Sequence, residues 1–96
     1  MDIQKALRTV VSTGKVYMGE AQAGKAIKTG KAKLVIIANN SPGRAEIVEA
    51  AKGKNVPVHE FGGMGTELGP ACGKPFAVAV LTVLDAGESD IMQLAR

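Results

Sequence analysis

Two short apolar segments, separated by a helix-like segment, constrain the fold of this chain more than any other feature of its sequence. The first, Val16–Met18, stops at Gly19, and the second, Leu34–Ala38, leads to Asn40. The residues between them, Glu20–Thr29, have the pattern of a helix and are followed by a glycine. This order predicts a β–α–β unit, in which a parallel pair of strands places both carboxyl ends at one edge of the sheet.

The predicted edge has the chemistry of an anion-binding site. Gly19 has no side chain and precedes a helix start, where backbone N–H groups attract anions. The Asn40 amide would lie beside it, offering both donors and an acceptor. Lysines crowd the same stretch with Glu20 as the only acid among them: Lys15, Lys25, Lys28, Lys31 and Lys33. This asymmetry favours a polyanionic partner, and our hypothesis is RNA; lysines that merely solvate a helix face are the alternative.

The remaining segments extend this pattern to four strands that alternate with helices. The other predicted helices are Asp2–Thr13 with Asp2 as its cap, a segment from the Ser41-Pro42 start signal to Gly53, a short piece interrupted by Pro70, and Asp90–Leu94. The other predicted strands are Val56–Phe61, which Pro57 places near an end or on an edge, and the long apolar run Phe76–Leu84, which would be central. The sequence therefore predicts an α/β/α sandwich.

Length and composition limit the classes of protein that fit. We expect one domain over residues 1–96, because a chain of 96 residues can bury a single core. No apolar run approaches the roughly 20 residues of a membrane helix, and the first residues lack the layout of a secretory signal. We therefore expect a cytoplasmic protein. A single cysteine, Cys72, excludes an internal disulfide and a multi-cysteine metal site, so we expect an inert, partly buried thiol and no metal.

A glycine pattern late in the chain offers an alternative function. Gly63, Gly65 and Gly69 follow a predicted strand and Asp85 ends the next one, which superficially matches a dinucleotide-binding fingerprint. However, the last spacing is one residue too long, and Pro70 leaves too little helix to span a sheet. A small nucleotide-binding protein is thus the weakest alternative. No catalytic serine–histidine arrangement or phosphate-binding lysine loop is present, so we expect neither an enzyme nor a bound cofactor.

Five blocks, in order along almost the whole chain, carry a resemblance to a known family. They are Gly14–Gly19, Gly30–Pro42, Thr66–Gly69, Gly73–Phe76 and Asp85–Ile91. Together they resemble the archaeal and eukaryotic large-subunit ribosomal protein family L-thirty-e, within the wider L-seven-Ae superfamily of kink-turn-binding proteins; the compact length looks archaeal. The resemblance implies a three-layer α/β/α sandwich around a four-stranded mixed sheet. It also implies a non-catalytic protein of the large ribosomal subunit, monomeric when free, that binds a kink-turn in ribosomal RNA without any membrane. A kink-turn protein of a guide-RNA particle is the second hypothesis.

The resemblance also implies which residues bind RNA, through three loops at one end of the sheet. The first loop would contribute Met18, Gly19, Glu20, Ala21 and Gln22, continuing to Lys25 and Lys28. The second would contribute Asn40, and the third Lys74 and Phe76, with the Phe76 ring packing on an exposed base. Three simpler interpretations stay open. Phe76 could pack in the core, Asn40 could cap a turn, and Gln22 could be an ordinary exposed helix residue.

Overall fold

The computed structural model describes residues 3–39, 41 and 43–95, which form four helices, four strands and a short 3-10 helix. The helices are α1 (Ile3–Thr13), α2 (Glu20–Lys28), α3 (Arg44–Gly53) and α4 (Gly65–Ala71), and the 3-10 helix is Ile91–Ala95. The strands are β1 (Lys15–Met18), β2 (Leu34–Ile37), β3 (Val58–Glu60) and β4 (Val80–Asp85). None of these helices is long and apolar enough to cross a membrane.

The four strands form one mixed sheet in the order β1-β4-β2-β3. The last strand, β4, lies between β1 and β2 and is antiparallel to both, while β2 and β3 are parallel. The predicted pairing of β1 with β2 is therefore wrong. Both strands still run in the same direction, so their carboxyl ends lie at the same edge. The β–α–β pattern indicates strand direction but carries no information about a later strand that inserts between the two.

Helices cover both faces of the sheet and make three layers. α2 and α3 pack on one face, where Ala23, Ile27 and Ile47 meet Val35 and Val80. α1, α4 and the 3-10 helix pack on the other, where the buried side chains are Leu7, Val10, Leu68, Leu81 and Ile91. All four β2 residues are buried, as expected for a strand with helices on both sides. The predicted α/β/α sandwich is confirmed.

The strand predicted over Phe76–Leu84 begins only at Val80. Most of the backbone before it is held by α4: the Val78 N–H donates to the Gly65 carbonyl at 3.0 Å, and the Lys74 N–H donates to the Gly69 carbonyl at 3.0 Å. The Ala79 carbonyl, directly before β4, accepts the Ala38 N–H at the end of β2. Apolar composition alone cannot distinguish a strand from an extended segment that lies along a helix. Phe76 therefore lies in a loop.

Other predicted boundaries shift by smaller amounts. The Ser41 hydroxyl does not cap α3, whose N-cap residue is Gly43. Asp2 and Pro42, expected at two helix starts, lie outside the described residues. The last predicted helix is a 3-10 helix that begins at Ile91. The edge position expected for the Pro57 strand is confirmed, because β3 is the outermost strand beside β2.

Candidate nucleic-acid interface

Four loops meet at the edge of the sheet where β1, β2 and β3 end and β4 begins: the three expected to bind RNA and the one between β3 and α4. The Gly19 N–H donates to the Val80 carbonyl at 2.9 Å, and the Ala38 N–H donates to the Ala79 carbonyl at 2.8 Å. The Asn39 N–H donates to the carbonyl of Gly63 at 3.0 Å. We call this edge the loop rim and define it as residues 18–22, 38–39, 41, 62–64 and 74–80. Asn40, the second-loop residue expected to contact RNA, lies outside the described residues, although its neighbour Asn39 is exposed on the rim.

Gly19 gives the rim an uncapped helix start. Its φ of 116° and ψ of 157° belong to a region that side-chain-bearing residues rarely adopt. A Cβ built at this position would meet nothing within 4 Å, so the space in front of the α2 start is open. Gly19 has no side chain to cap α2, and the first intrahelical bond is the 3.1 Å one from Ala23 N–H to the Gly19 carbonyl. The first-turn N–H groups are thus available to an anion.

The acid in the first turn of α2 is held by the second loop. Ser41 is buried, with 7% of its residue surface exposed, and its hydroxyl donates to Glu20 Oε1 at 3.1 Å. The other carboxylate oxygen contacts the bare Cα of Gly43, where a side chain would collide with it. This contact was missed by the sequence reasoning, which treated Ser41 as a helix cap. Its effect is to keep the negative charge of Glu20 against the second loop.

The lysines that crowd the sequence divide between two ends of the molecule. Gln22 and Lys25 are exposed on α2, and Lys28 lies about 12 Å along the helix from its start, at about 1.5 Å per residue. Lys15 opposes Asp85 at the other edge of the sheet. Lys33 is at that edge too, because its N–H donates to the Val83 carbonyl at 2.8 Å. Only part of the predicted cationic stretch is therefore close to the loop rim.

The third loop presents Phe76 to solvent. Its residue surface is 53% exposed, which excludes the core interpretation, whereas Lys74 is half-buried. The Phe76 carbonyl contacts the bare Cα of Gly69 on α4, so the backbone of the loop lies directly on the helix. Packing of this backbone leaves the aromatic ring outside. Ala21, the remaining first-loop position, is exposed, and Met18 is partly buried against the core.

The glycine pattern serves packing in this structure. Gly65 and Gly69 lie on the face of α4 that receives the third loop. Gly63 makes room for the carboxylate of Glu67, whose Oε2 accepts the Met64 N–H at 3.1 Å. An acid of the chain itself therefore occupies the start of α4, where a dinucleotide phosphate would have to bind. The sequence could not separate the two uses, because both require glycines at close spacing.

The remaining reactive groups form no second site among the described residues. Burial raises the pKa of the Cys72 thiol to about 11, with a smaller opposing effect from Lys74, so the thiol is protonated at neutral pH. No group of three or more His, Cys, Asp or Glu side chains in residues 3–39, 41 and 43–95 is arranged to hold a metal ion. The open start of α2 and the exposed Phe76 ring at the loop rim together suit a ligand that is both anionic and aromatic.

Comparisons with known proteins agree with the fold and the sequence blocks. The model of the ribosomal protein L7Ae/L30e/S12e/Gadd45 family matches residues 1–93. The large ribosomal subunit protein eL30 of Methanocaldococcus jannaschii is 48% identical over 98 residues, which cover 100% of this chain and 89% of the relative. The eL30 protein of Methanosarcina mazei is 46% identical over 92 residues, covering 96% and 87%.

A solved structure shows the same fold at lower sequence similarity. A Bacillus halodurans protein of unknown function superposes with a TM-score of 0.79 at 24% identity, covering 98% of this chain and 95% of that one. The family match spans nearly the whole chain, and the resemblance to the L-thirty-e family is confirmed by the archaeal relatives. This chain belongs to the ribosomal protein L7Ae/L30e/S12e/Gadd45 family.

Proposed function

We propose that this protein is a non-catalytic RNA-binding protein of the large ribosomal subunit, which binds a kink-turn in ribosomal RNA and holds it bent. The observation that carries the proposal is the convergence of the first and second loops on two adjacent carbonyls at the end of the third, Val80 and Ala79, beside an uncapped helix start. The names of the archaeal relatives favour the ribosome over a guide-RNA particle. The protein would act as a single-domain monomer when free and work in the cytoplasm.

A bent RNA suits the loop rim because its bases are not all stacked. The major groove of regular RNA helices is closed to side chains, so proteins recognise distorted sites where bases are splayed open. Gln22 and Asn40 would read base edges with their amides, and Phe76 would stack on an exposed base. The rim is the only edge of the described sheet at which the first, second and third loops meet.

Charged and small groups would hold the phosphates. Gly19 leaves the α2 start open for close approach of the backbone, with Met18 and Ala21 beside it. Lys25 and Lys74 would neutralise phosphates near the rim, and Lys28 would do so further along α2. The Glu20 carboxylate, bonded to Ser41, would not oppose them.

The proposal predicts a preference for bent RNA. In a mobility-shift titration, the protein should bind a synthetic RNA duplex with a kink-turn internal loop much more tightly than the same duplex with the loop replaced by Watson–Crick pairs. Log K should fall with log salt concentration by about 0.7–0.9 for each phosphate contact. Equal affinity for the two RNAs would contradict the proposal. Tight binding of a nicotinamide dinucleotide in place of RNA would favour the glycine-pattern alternative.

Cellular association separates the ribosome from a guide-RNA particle. The tagged full-length protein should sediment with large ribosomal subunits and with their ribosomal RNA. Recovery of small guide RNAs and their modification proteins, without large subunits, would instead identify the second hypothesis. Both results are compatible with the same RNA-binding surface on this protein, because ribosomal RNA and guide RNA would each present a kink-turn.

A further inference from the structure

Met64 is a large apolar side chain on the loop rim that the proposed RNA contacts do not use. It is 56% exposed and packs in neither buried cluster of the described residues. Tyr17 and Phe76 are the other exposed large apolar side chains in the described part of the chain. Met64 is the N-cap residue of α4 and its side chain lies at the first turn of that helix, with more than half of the residue surface open to solvent.

Hydrogen bonds on both sides of Met64 place it between two loops. The preceding residue, Gly63, accepts the Asn39 N–H of the second loop at 3.0 Å. The following residue, Gly65, accepts the Val78 N–H of the third loop at 3.0 Å. The backbone of Met64 therefore lies between the contacts that its two neighbours make with the second and third loops.

The backbone of Met64 is fixed although its side chain is exposed. Its N–H donates to Glu67 Oε2 at 3.1 Å, and its carbonyl accepts the Glu67 and Leu68 N–H groups at 2.9 Å each. Its φ of −87° and ψ of 170° are unstrained. A fixed backbone lowers the entropy lost when a side chain becomes buried against a ligand.

The charges around Met64 favour a nucleic acid over an apolar protein surface. The acids near the rim each have a partner: Glu20 bonds to Ser41, Glu60 to Arg44, and Glu67 to the Met64 N–H. The uncapped α2 start adds positive potential at the rim. A thioether is polarisable and packs favourably on aromatic rings, which nucleobases are.

We infer that Met64 packs on an unpaired nucleobase of the bound RNA, as a second apolar contact beside Phe76. This inference rests on the proposed function, since it concerns the same rim. It assigns recognition of unstacked bases to the loop between β3 and α4, and not to the third loop alone.

The test is a double-substitution cycle between protein and RNA. Affinity for the kink-turn duplex is measured for the wild-type protein and for Met64→Ala, Met64→Leu and Thr66→Ala. Each protein is also titrated with duplexes in which one unpaired nucleotide at a time is abasic. Thr66 is exposed in the next turn of α4 and serves as the neighbouring control. Thermal melts check that all variants remain folded.

We expect Met64→Ala to weaken binding by roughly three- to tenfold, and Met64→Leu and Thr66→Ala to weaken it by less than about twofold. The loss from Met64→Ala should disappear with one particular abasic duplex, because the contacted base is then missing. Wild-type preference for kinked RNA combined with an unchanged Met64→Ala would overturn the inference while the proposed function stands. A loss that persists with every abasic duplex would also overturn it. Failure of the wild type to prefer kinked RNA would instead refute the proposed function.

Discussion

The hydroxyl of Ser41 donates to Oε1 of Glu20 across 3.1 Å and joins the second loop to the first turn of α2. The bond determines where a negative charge lies at the surface proposed to bind RNA. If Ser41 is replaced by alanine, the carboxylate is released and can bond to the first-turn N–H groups of its own helix.

We expect Ser41→Ala to weaken kink-turn binding by roughly two- to tenfold for this reason. The double variant Ser41→Ala/Glu20→Gln should regain most of the affinity, because the competing charge is gone. The measurement is the mobility-shift titration at one fixed salt concentration. An equal loss in the single and double variants would show that Ser41 itself, and not the released acid, affects RNA binding.

Two exposed lysines at different distances from the loop rim give a matched test of the binding surface. Lys25 lies about 8 Å along α2 from its start at the rim, at about 1.5 Å per residue, whereas Lys33 lies at the opposite edge of the sheet. We expect Lys25→Ala to lower the slope of log K against log salt by about one phosphate contact, which is 0.7–0.9. Lys33→Ala should leave the slope unchanged. Similar effects from both would mean that the protein attracts RNA through net charge alone.

Alanine at Gly19 in the first loop and alanine at Gly24 in α2 should change the free energy of unfolding in opposite directions. Gly24 is inside α2, and a Cβ built there meets nothing within 4 Å. Gly24→Ala should therefore stabilise the protein by about 1 kcal/mol through helix propensity. Gly19→Ala should destabilise it by about 1–3 kcal/mol, because alanine rarely adopts a φ of 116°. Urea unfolding of the two variants measures both changes in the free energy of unfolding. A Gly19→Ala variant as stable as the wild type would show that the first loop can adopt another backbone conformation.

Close backbone packing at Gly69 predicts a coupled loss of stability and RNA affinity. A side chain at this position collides with the Phe76 carbonyl, so the third loop has to move away from α4. Gly69→Ala should cost about 1–3 kcal/mol of unfolding free energy. It should also weaken kink-turn binding in the folded fraction. Weakened folding with unchanged affinity would place Phe76 outside the RNA contact.

The buried thiol predicts a stability change in alkaline solution. Burial raises the pKa of Cys72 from 9.0 to about 11, so the folded protein keeps a proton that the unfolded chain loses between these values. Stability should fall as pH rises from about 9 to 11, by about 2–3 kcal/mol, since each unit corresponds to 1.36 kcal/mol. Chemical unfolding of the wild type and of Cys72→Ala across this range isolates the effect. Parallel pH profiles would contradict it.

Patterns of local sequence predict the layers of this fold but not its strand pairing. The run at β2 indicates a strand covered on both sides, and Pro57 indicates an edge, because each follows from residue chemistry. The insertion of β4 between β1 and β2 depends on contacts between residues far apart in the chain. The same limit explains the segment 74–79, in which the Lys74 and Val78 N–H groups bond to glycines of α4.

Features of the candidate site that depend on backbone conformation could be predicted from the sequence, whereas contacts between side chains from different loops were harder to predict. Gly19 stands out because a strand end is followed directly by a helix. The bond between Ser41 and Glu20 could not be expected, since serine before proline has the signature of a helix cap. Lysines that are close in sequence suggested a single cationic patch. However, Lys15 and Gly19 lie at opposite edges of the sheet, because β1 spans the distance between them.

The central position of β4 means that assembly of the sheet depends on the last of its four strands in chain order. β1 and β2 have no bonds to each other, and the first and second loops are tied to the backbone at 79–80. During synthesis, the residues before 79 can form helices and pair β2 with β3, but they cannot complete the sheet. An RNA-competent surface thus arises in one late step, when residues 79–85 join strands made long before.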